Sequence, residues 1–247
     1  MNELGPFGDD IFINLSLQTM LPLPTGRETV LQFFQAVQRE FGEMTAMFRR
    51  DTGEHVLEGD RDAGSYRWVE LHEQRLCSGY FNPPTMAKSR QLHAWLLDRS
   101  QSFLGLSGLD VECLDVMIGF NLDYQGNRDG LVAEALLADS PLGMLVQGDL
   151  GRCVEFEPGL VLALESDCNT QARVAIEPRC NSMQVSSGDY TNDPISVHLT
   201  VRRYPVPGRV MDLPSVFDAL CDIAEDLAAR VIMPQILAPL ASAIASR

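Results

Sequence analysis

Three segments of this chain alternate apolar and polar residues with a period of two, and this pattern constrains the fold more than any other feature. Over 11–21, every odd-numbered residue from Ile11 to Leu17 is apolar, and most of the residues between them are polar. The same alternation recurs over 109–124 and 195–204. A period of two is typical of a strand with one buried face and one solvent-facing face. We therefore predict an α+β fold with a mainly antiparallel sheet and helices packed on one face.

Helical periodicity marks three further segments, at 26–41, 84–103 and 213–240. Thr25 and Glu28 have the spacing of a capping box, which predicts that Thr25 caps the first helix. Pro234 and Pro239 are expected to kink or break the last helix, because proline cannot donate a backbone hydrogen bond.

The order of the elements divides the chain into two halves. Residues 1–124 follow a split β-α-β-β-α-β order of the ferredoxin-like kind, with 65–81 as one long strand. Residues 125–247 follow a related but less regular order that ends in the long kinked helix. No long linker separates the halves, so we expect one compact unit.

The formal charge of −15, from 34 acidic and 19 basic residues, excludes some classes of partner. A negative field of this size repels nucleic acids and anionic membranes, and it favours a basic protein partner. The acidic N-terminus does not resemble a signal peptide, and no apolar run has the length of a membrane span. The six cysteines form no C-x-x-C pair. Free thiols and a cytoplasmic location are therefore expected.

No motif in the chain predicts a cofactor or a metal ion. None of the four histidines lies four residues from another, and the sequence has no H-E-x-x-H, G-x-S-x-G or glycine-rich phosphate motif. His93 lies within the second predicted helix, where we expect it to be partly exposed.

Four side chains are candidates for chemistry on the polar face of the sheet. Glu70 and His72 share one strand face, and they form an acid–base or metal pair if that face lines a cleft. The simpler interpretation is that they make cross-strand hydrogen bonds on a solvent-facing side of the sheet. Asp115 lies either on the solvent side of the sheet, which the apolar residues opposite it favour, or in a cavity that shifts its pKa. His198 lies on the polar face of the last strand.

The end of the last helix is apolar on nearly every side, so it must be covered by the sheet or by a second chain. Packing within one chain is the simpler interpretation. Ile236, Leu237 and Leu240 are the interface candidates if the protein forms a homodimer.

Two functions remain open at this level. The sequence favours a non-catalytic binding or assembly protein that acts as an adaptor, an inhibitor or an oligomer subunit, with itself or a basic protein as partner. The alternative is a small-ligand binder or an enzyme with its site on the open face of the sheet. A concave pocket that collects two or more of the four candidate side chains favours the alternative.

Overall fold

A computed structural model describes residues 8–138, 140–147 and 150–247, and it confirms the α+β class. The strands are β1 (Asp10–Thr19), β2 (Ala46–Arg49), β3 (His55–Glu58), β4 (Tyr66–Leu71), β5 (Arg75–Phe81), β6 (Val111–Leu122), β7 (Gly159–Ala163), β8 (Thr170–Glu177) and β9 (Ile195–Arg203). The helices are α1 (Arg27–Glu40), α2 (Met86–Leu104), α3 (Arg128–Leu137), α4 (Gly143–Gln147), α5 (Ser182–Ser187), α6 (Leu213–Leu227), a π-helical stretch (Ala228–Leu237) and α7 (Ala238–Ala245).

All these strands form one sheet in the order β2-β3-β4-β5-β1-β6-β9-β8-β7, and every neighbouring pair is antiparallel. The first strand of the chain, β1, therefore lies in the centre of the sheet between β5 and β6. Pairing of β6 with β9 joins the two halves of the sequence through a continuous hydrogen-bonded ladder.

The helices cover one face of the sheet, because the alternating strands present their apolar residues on that side. α1 packs on α2, α2 packs on α6 and β5, and α6 packs on β6 and β9. Apolar residues from the three alternating segments and from the three predicted helices lie in this layer and are buried, among them Leu15, Phe33, Val37, Leu96, Val116, Phe120, Val197 and Leu220. The opposite face carries the polar residues of the same strands.

The predicted order of the first half is not confirmed. Four strands, and not two, lie between α1 and α2, because 46–58 folds as an additional hairpin and 65–81 folds as two strands. The turn between β4 and β5 closes where the His72 amide donates to the Arg75 carbonyl at 2.8 Å. Glu73 and Gln74 at this turn are exposed, so polar residues here break the strand instead of continuing it.

The capping prediction for α1 is wrong. The helix begins at Arg27 with Gly26 as its N-cap, and no side chain caps it. Thr25 lies one residue too early, and the Glu28 carboxylate accepts from the Gln32 amide instead of the cap.

The prolines near the C-terminus change the geometry of the last helix without ending it. Helical structure continues from Leu213 to Ala245, and Pro234 lies inside the π-helical stretch. The wider turn of a π-helix accommodates a missing backbone donor.

Two of the three interface candidates are not available to a second chain. Leu237 and Leu240 are fully buried in their own subunit, and only Ile236 is partly exposed. By length and composition, the helix from Leu213 to Ala245 also passes as a candidate membrane span, a test that core helices of soluble proteins pass as well. In this fold its apolar face belongs to the core beneath the sheet.

Candidate ligand-binding site on the open sheet face

Two rows of cross-strand neighbours form the floor of a site on the open face. The first row crosses seven strands through Val161, Arg173, Thr200, Met117, Asn14, Gly79 and Trp68. The second row crosses six strands through Gln171, Arg202, Asp115, Ser16, Cys77 and Glu70. Directly opposed residues in an antiparallel sheet point to the same face, so the register alone brings these side chains together.

These rows line a cavity of about 590 Å³, which we call the trough. Arg75 and Tyr204 complete its lining at one end. Val161 on β7 and Trp68 on β4 both line the trough, so seven neighbouring strands of the sheet contribute to it. The trough thus extends across the sheet and is built almost entirely from strands.

Gly79 allows two side chains to lie close to the sheet. A Cβ atom at this position would lie 2.4 Å from Asn14 Oδ1 and 2.4 Å from the Trp68 ring. The indole and the amide therefore cover the glycine on the floor of the trough. Asn14 Oδ1 is buried there and accepts no hydrogen bond from any residue that the structure describes. A buried acceptor without a donor costs about 1–3 kcal/mol, so this atom is suited to a donor from outside the protein.

The two carboxylates of the trough are held by arginines. Asp115 receives two hydrogen bonds of 2.6 Å from Arg202, at Nε and Nη2, and this pairing raises the pKa of the guanidinium further above its usual value. Glu70 pairs with Arg50. Both carboxylates of the trough therefore already have a cationic partner within the protein.

Two other arginines of the trough have no carboxylate partner among the described residues. The Arg173 side chain makes no hydrogen bond or ion pair with any described residue. Arg75 contacts only the two ring nitrogens of His72, each at 3.5 Å. Three guanidinium groups and two carboxylates line the trough, a net charge of +1. The site is locally positive in a chain of charge −15.

The thiols on this face are protonated at neutral pH. Burial raises the pKa of Cys77, and its thiol donates to Ser16 Oγ at 3.6 Å. Burial and the charge of Asp115 raise the pKa of Cys113 to about 11. Neither is therefore an activated nucleophile, which requires a lowered pKa.

The structure separates the four candidates that the sequence singled out. Glu70 and Asp115 line the trough together. His72 follows β4 and lies between two carboxylates, with Nδ1 3.4 Å from Glu54 and Nε2 3.3 Å from Glu70. The two acids contact opposite edges of the ring, so they do not converge on a common point.

His198 lies outside the trough, in the next cross-strand row. It contacts the Phe12 ring edge-on at 5.7 Å, and its Nδ1 lies 3.4 Å from Glu177. Desolvation lowers the pKa of His198 despite the opposing effect of that carboxylate. The row continues as stacked aromatic rings through Phe81 to Tyr66, and it borders the trough on this side.

A larger cleft of about 1060 Å³ lies beside the trough, between the start of α1, the β2–β3 hairpin and the β4–β5 turn. His72 and Arg75 line it together with exposed turn residues. We favour the trough as the site because strands hold side chains more precisely than turns and because a buried acceptor without a donor lies on its floor. Within the described part of the chain, no cluster of three or more His, Cys, Asp or Glu residues is arranged to hold a metal ion.

Comparison with known proteins assigns no family to this chain. No family model matches the sequence, and a search of curated proteins finds no relative.

Sequence reasoning missed most of the trough. Arg173, Trp68 and Thr200 come from segments far apart in the chain, and only the order of the strands brings them together. The alternation already placed Asn14, Thr200 and Arg202 on polar faces, and this was the one signal that pointed to them.

Proposed function

We propose that this protein is a non-catalytic binding protein that holds a small molecule in the trough. The observation that carries the proposal is a cavity that collects Glu70 and Asp115 together with Arg75, Arg173 and an unsatisfied buried acceptor. Its volume lies within the range of about 300–1,000 Å³ that is usual for small-molecule sites. The paired carboxylates and protonated thiols support binding over catalysis.

Retention of small molecules tests the proposal. The protein is incubated with a protein-free extract of small metabolites, and the complex is weighed by native mass spectrometry. We expect discrete mass increments that Thr200→Tyr abolishes, because a ring next to Met117 in the first row projects into the trough and occupies the space of a ligand. Gln32→Tyr, on the exposed side of α1, is the matched control and retains the increments.

The released molecule should have the same mass before and after incubation, as binding without catalysis requires. Equal retention by Thr200→Tyr, or no retention by any variant, would contradict the proposal.

A reducing, cytoplasmic setting is part of the same proposal. The six cysteines are free thiols, and three of them are buried on or beneath the sheet. A protein that folds without disulfides is compatible with a reducing compartment.

The second candidate function is assembly with another protein chain, which a separate observation favours. β7 is an edge strand, and its Leu160, Val161 and Leu162 side chains are each about half exposed. An apolar edge strand with unpaired backbone groups can add a further strand to the sheet.

A further inference from the structure

We propose that the molecule held in the trough is an organic anion with a planar apolar body and a hydrogen-bond donor. This inference rests on the small-molecule function proposed above and specifies the class of ligand.

The anionic charge follows from the two arginines without carboxylate partners. Arg75 lies on β5 and Arg173 on β8, so they border the trough from two sides. Acidic residues outnumber basic ones by 34 to 19 in this chain, yet none of the described acids pairs with either guanidinium. Arg202 lies between them in the sheet order and is already neutralised by Asp115. Two guanidinium groups without a carboxylate partner in one trough are therefore suited to recognise a carboxylate, sulfonate or phosphate group on a ligand.

The planar apolar body follows from the surfaces between the charges. The Trp68 indole covers Gly79, and Met117 and Val161 continue the same row. An indole held against a sheet offers a flat surface for ring stacking. The Met117 thioether and the Val161 side chain in the same row can pack against a rigid ring.

The hydrogen-bond donor of the ligand is inferred from the Asn14 side chain. Its Oδ1 is buried on the floor of the trough and lacks a donor among the described residues. A ligand N–H or O–H at this point satisfies the acceptor, and a ligand without one leaves the desolvation cost in place.

A matched pair of fluorescent probes tests the charge. 8-Anilinonaphthalene-1-sulfonate carries a planar ring, an N–H donor and an anionic group, and N-phenyl-1-naphthylamine has the same skeleton without the sulfonate. We expect the sulfonate to bind at one saturable site at least about tenfold more tightly than the neutral probe. Energy transfer to the bound probe should fall in Trp68→Phe and persist in Trp95→Phe, because Trp95 lies on α2 on the opposite face.

Charge-removing variants locate the anionic group. Arg173→Gln and Arg75→Gln should each weaken sulfonate binding about five- to tenfold and leave the neutral probe unaffected. Arg39 is an exposed arginine in the last turn of α1, and Arg39→Gln is the control that should change the affinity for neither probe. Circular dichroism and unfolding midpoints of each variant separate lost binding from lost folding.

The outcomes distinguish this inference from the function on which it rests. Equal affinity for both probes, or sulfonate binding that the arginine variants do not weaken, overturns the anion assignment. Retained metabolites in the mass-spectrometric experiment would in that case leave the binding function standing. If no probe accepts energy from Trp68 and no metabolite is retained, both proposals fail.

Discussion

His93 lies on the sheet-facing side of α2, where it is fully buried. Its Nδ1 lies 2.8 Å from Ser78 Oγ and its Nε2 lies 3.1 Å from Ser89 Oγ. Both ring nitrogens are thus satisfied by neutral partners, and desolvation lowers the pKa of His93 to about 3. The expectation of partial exposure is wrong. Ser89, His93 and Leu97 recur every four residues on one helix face, and this spacing was the available signal.

Acid should destabilise the protein through His93. The unfolded chain takes up a proton near pH 6.5 and the folded chain only near pH 3, so stability is complete above pH 6.5 and falls as the pH drops. The loss is about 1.4 kcal/mol per pH unit over this range. The free energy of unfolding, measured with urea at pH 6.5 and at pH 4.5, gives the size of this loss. His93→Gln should be less stable at pH 6.5 yet lose about 2–3 kcal/mol less on acidification. Equal losses in both proteins would contradict the assignment.

At the scale of elements, the two long helices of the first half begin in different ways. The Thr85 hydroxyl accepts a hydrogen bond from the Lys88 amide at 3.3 Å and caps α2, whereas α1 begins at Gly26 without a side-chain cap. Gly105 ends α2 in the left-handed conformation that favours glycine, at φ 65°.

A matched pair of threonine variants measures this difference. Thr85→Ala should lower the free energy of unfolding by about 0.5–2 kcal/mol, because one amide at the start of α2 loses its acceptor. Thr25→Ala should change it by less than about 0.5 kcal/mol, as expected for an exposed residue without a capping role. Chemical denaturation of both variants and of the unmutated protein gives the free energies of unfolding to be compared. A larger loss in Thr25→Ala would mean that the capping box forms in solution.

Alternation along the strands was enough to predict which residues form the core. It assigned Leu15, Val116 and Val197 to the buried face correctly, because a period of two is a local property of the chain. It could not predict the order of the strands or the division of 65–81 into two of them. The neighbours of Asn14 in the trough depend on that order, so the site remained hidden.

At the scale of the whole molecule, the two ends of the sheet are edge strands, and β7 is the more apolar one. Pairing two copies of β7 about a two-fold axis through Val161 places Glu157 of one chain opposite Glu165 of the other. Glu165 is already paired with Arg203 of its own chain at 2.6 Å, so this local repulsion adds to the repulsion between two chains of charge −15, and together they oppose the pairing that the apolar side chains favour. Salt screens such charges, so it should promote the association.

Light scattering after size-exclusion chromatography tests whether the protein self-associates through β7. We expect the mass to rise with protein concentration, more strongly at high salt, and Leu162→Lys to keep the protein monomeric. Leu109→Lys is the control, because Leu109 is exposed in the turn before β6 and away from the edge. Leu237→Asp should unfold the protein instead of dissociating it, since Leu237 is buried. A constant monomer mass under all conditions would contradict a role for β7 in self-association.

The central position of β1 has a consequence for synthesis of the chain. β1 ends at Thr19, and its first partner, β5, begins at Arg75, so 56 further residues must be made before pairing starts. At about 5–20 residues per second this takes about 3–11 s, and β6 follows later still. For that interval an apolar strand leaves the ribosome without its neighbours. The nascent chain is therefore expected to depend on chaperones that shield β1 until the middle of the sheet can close.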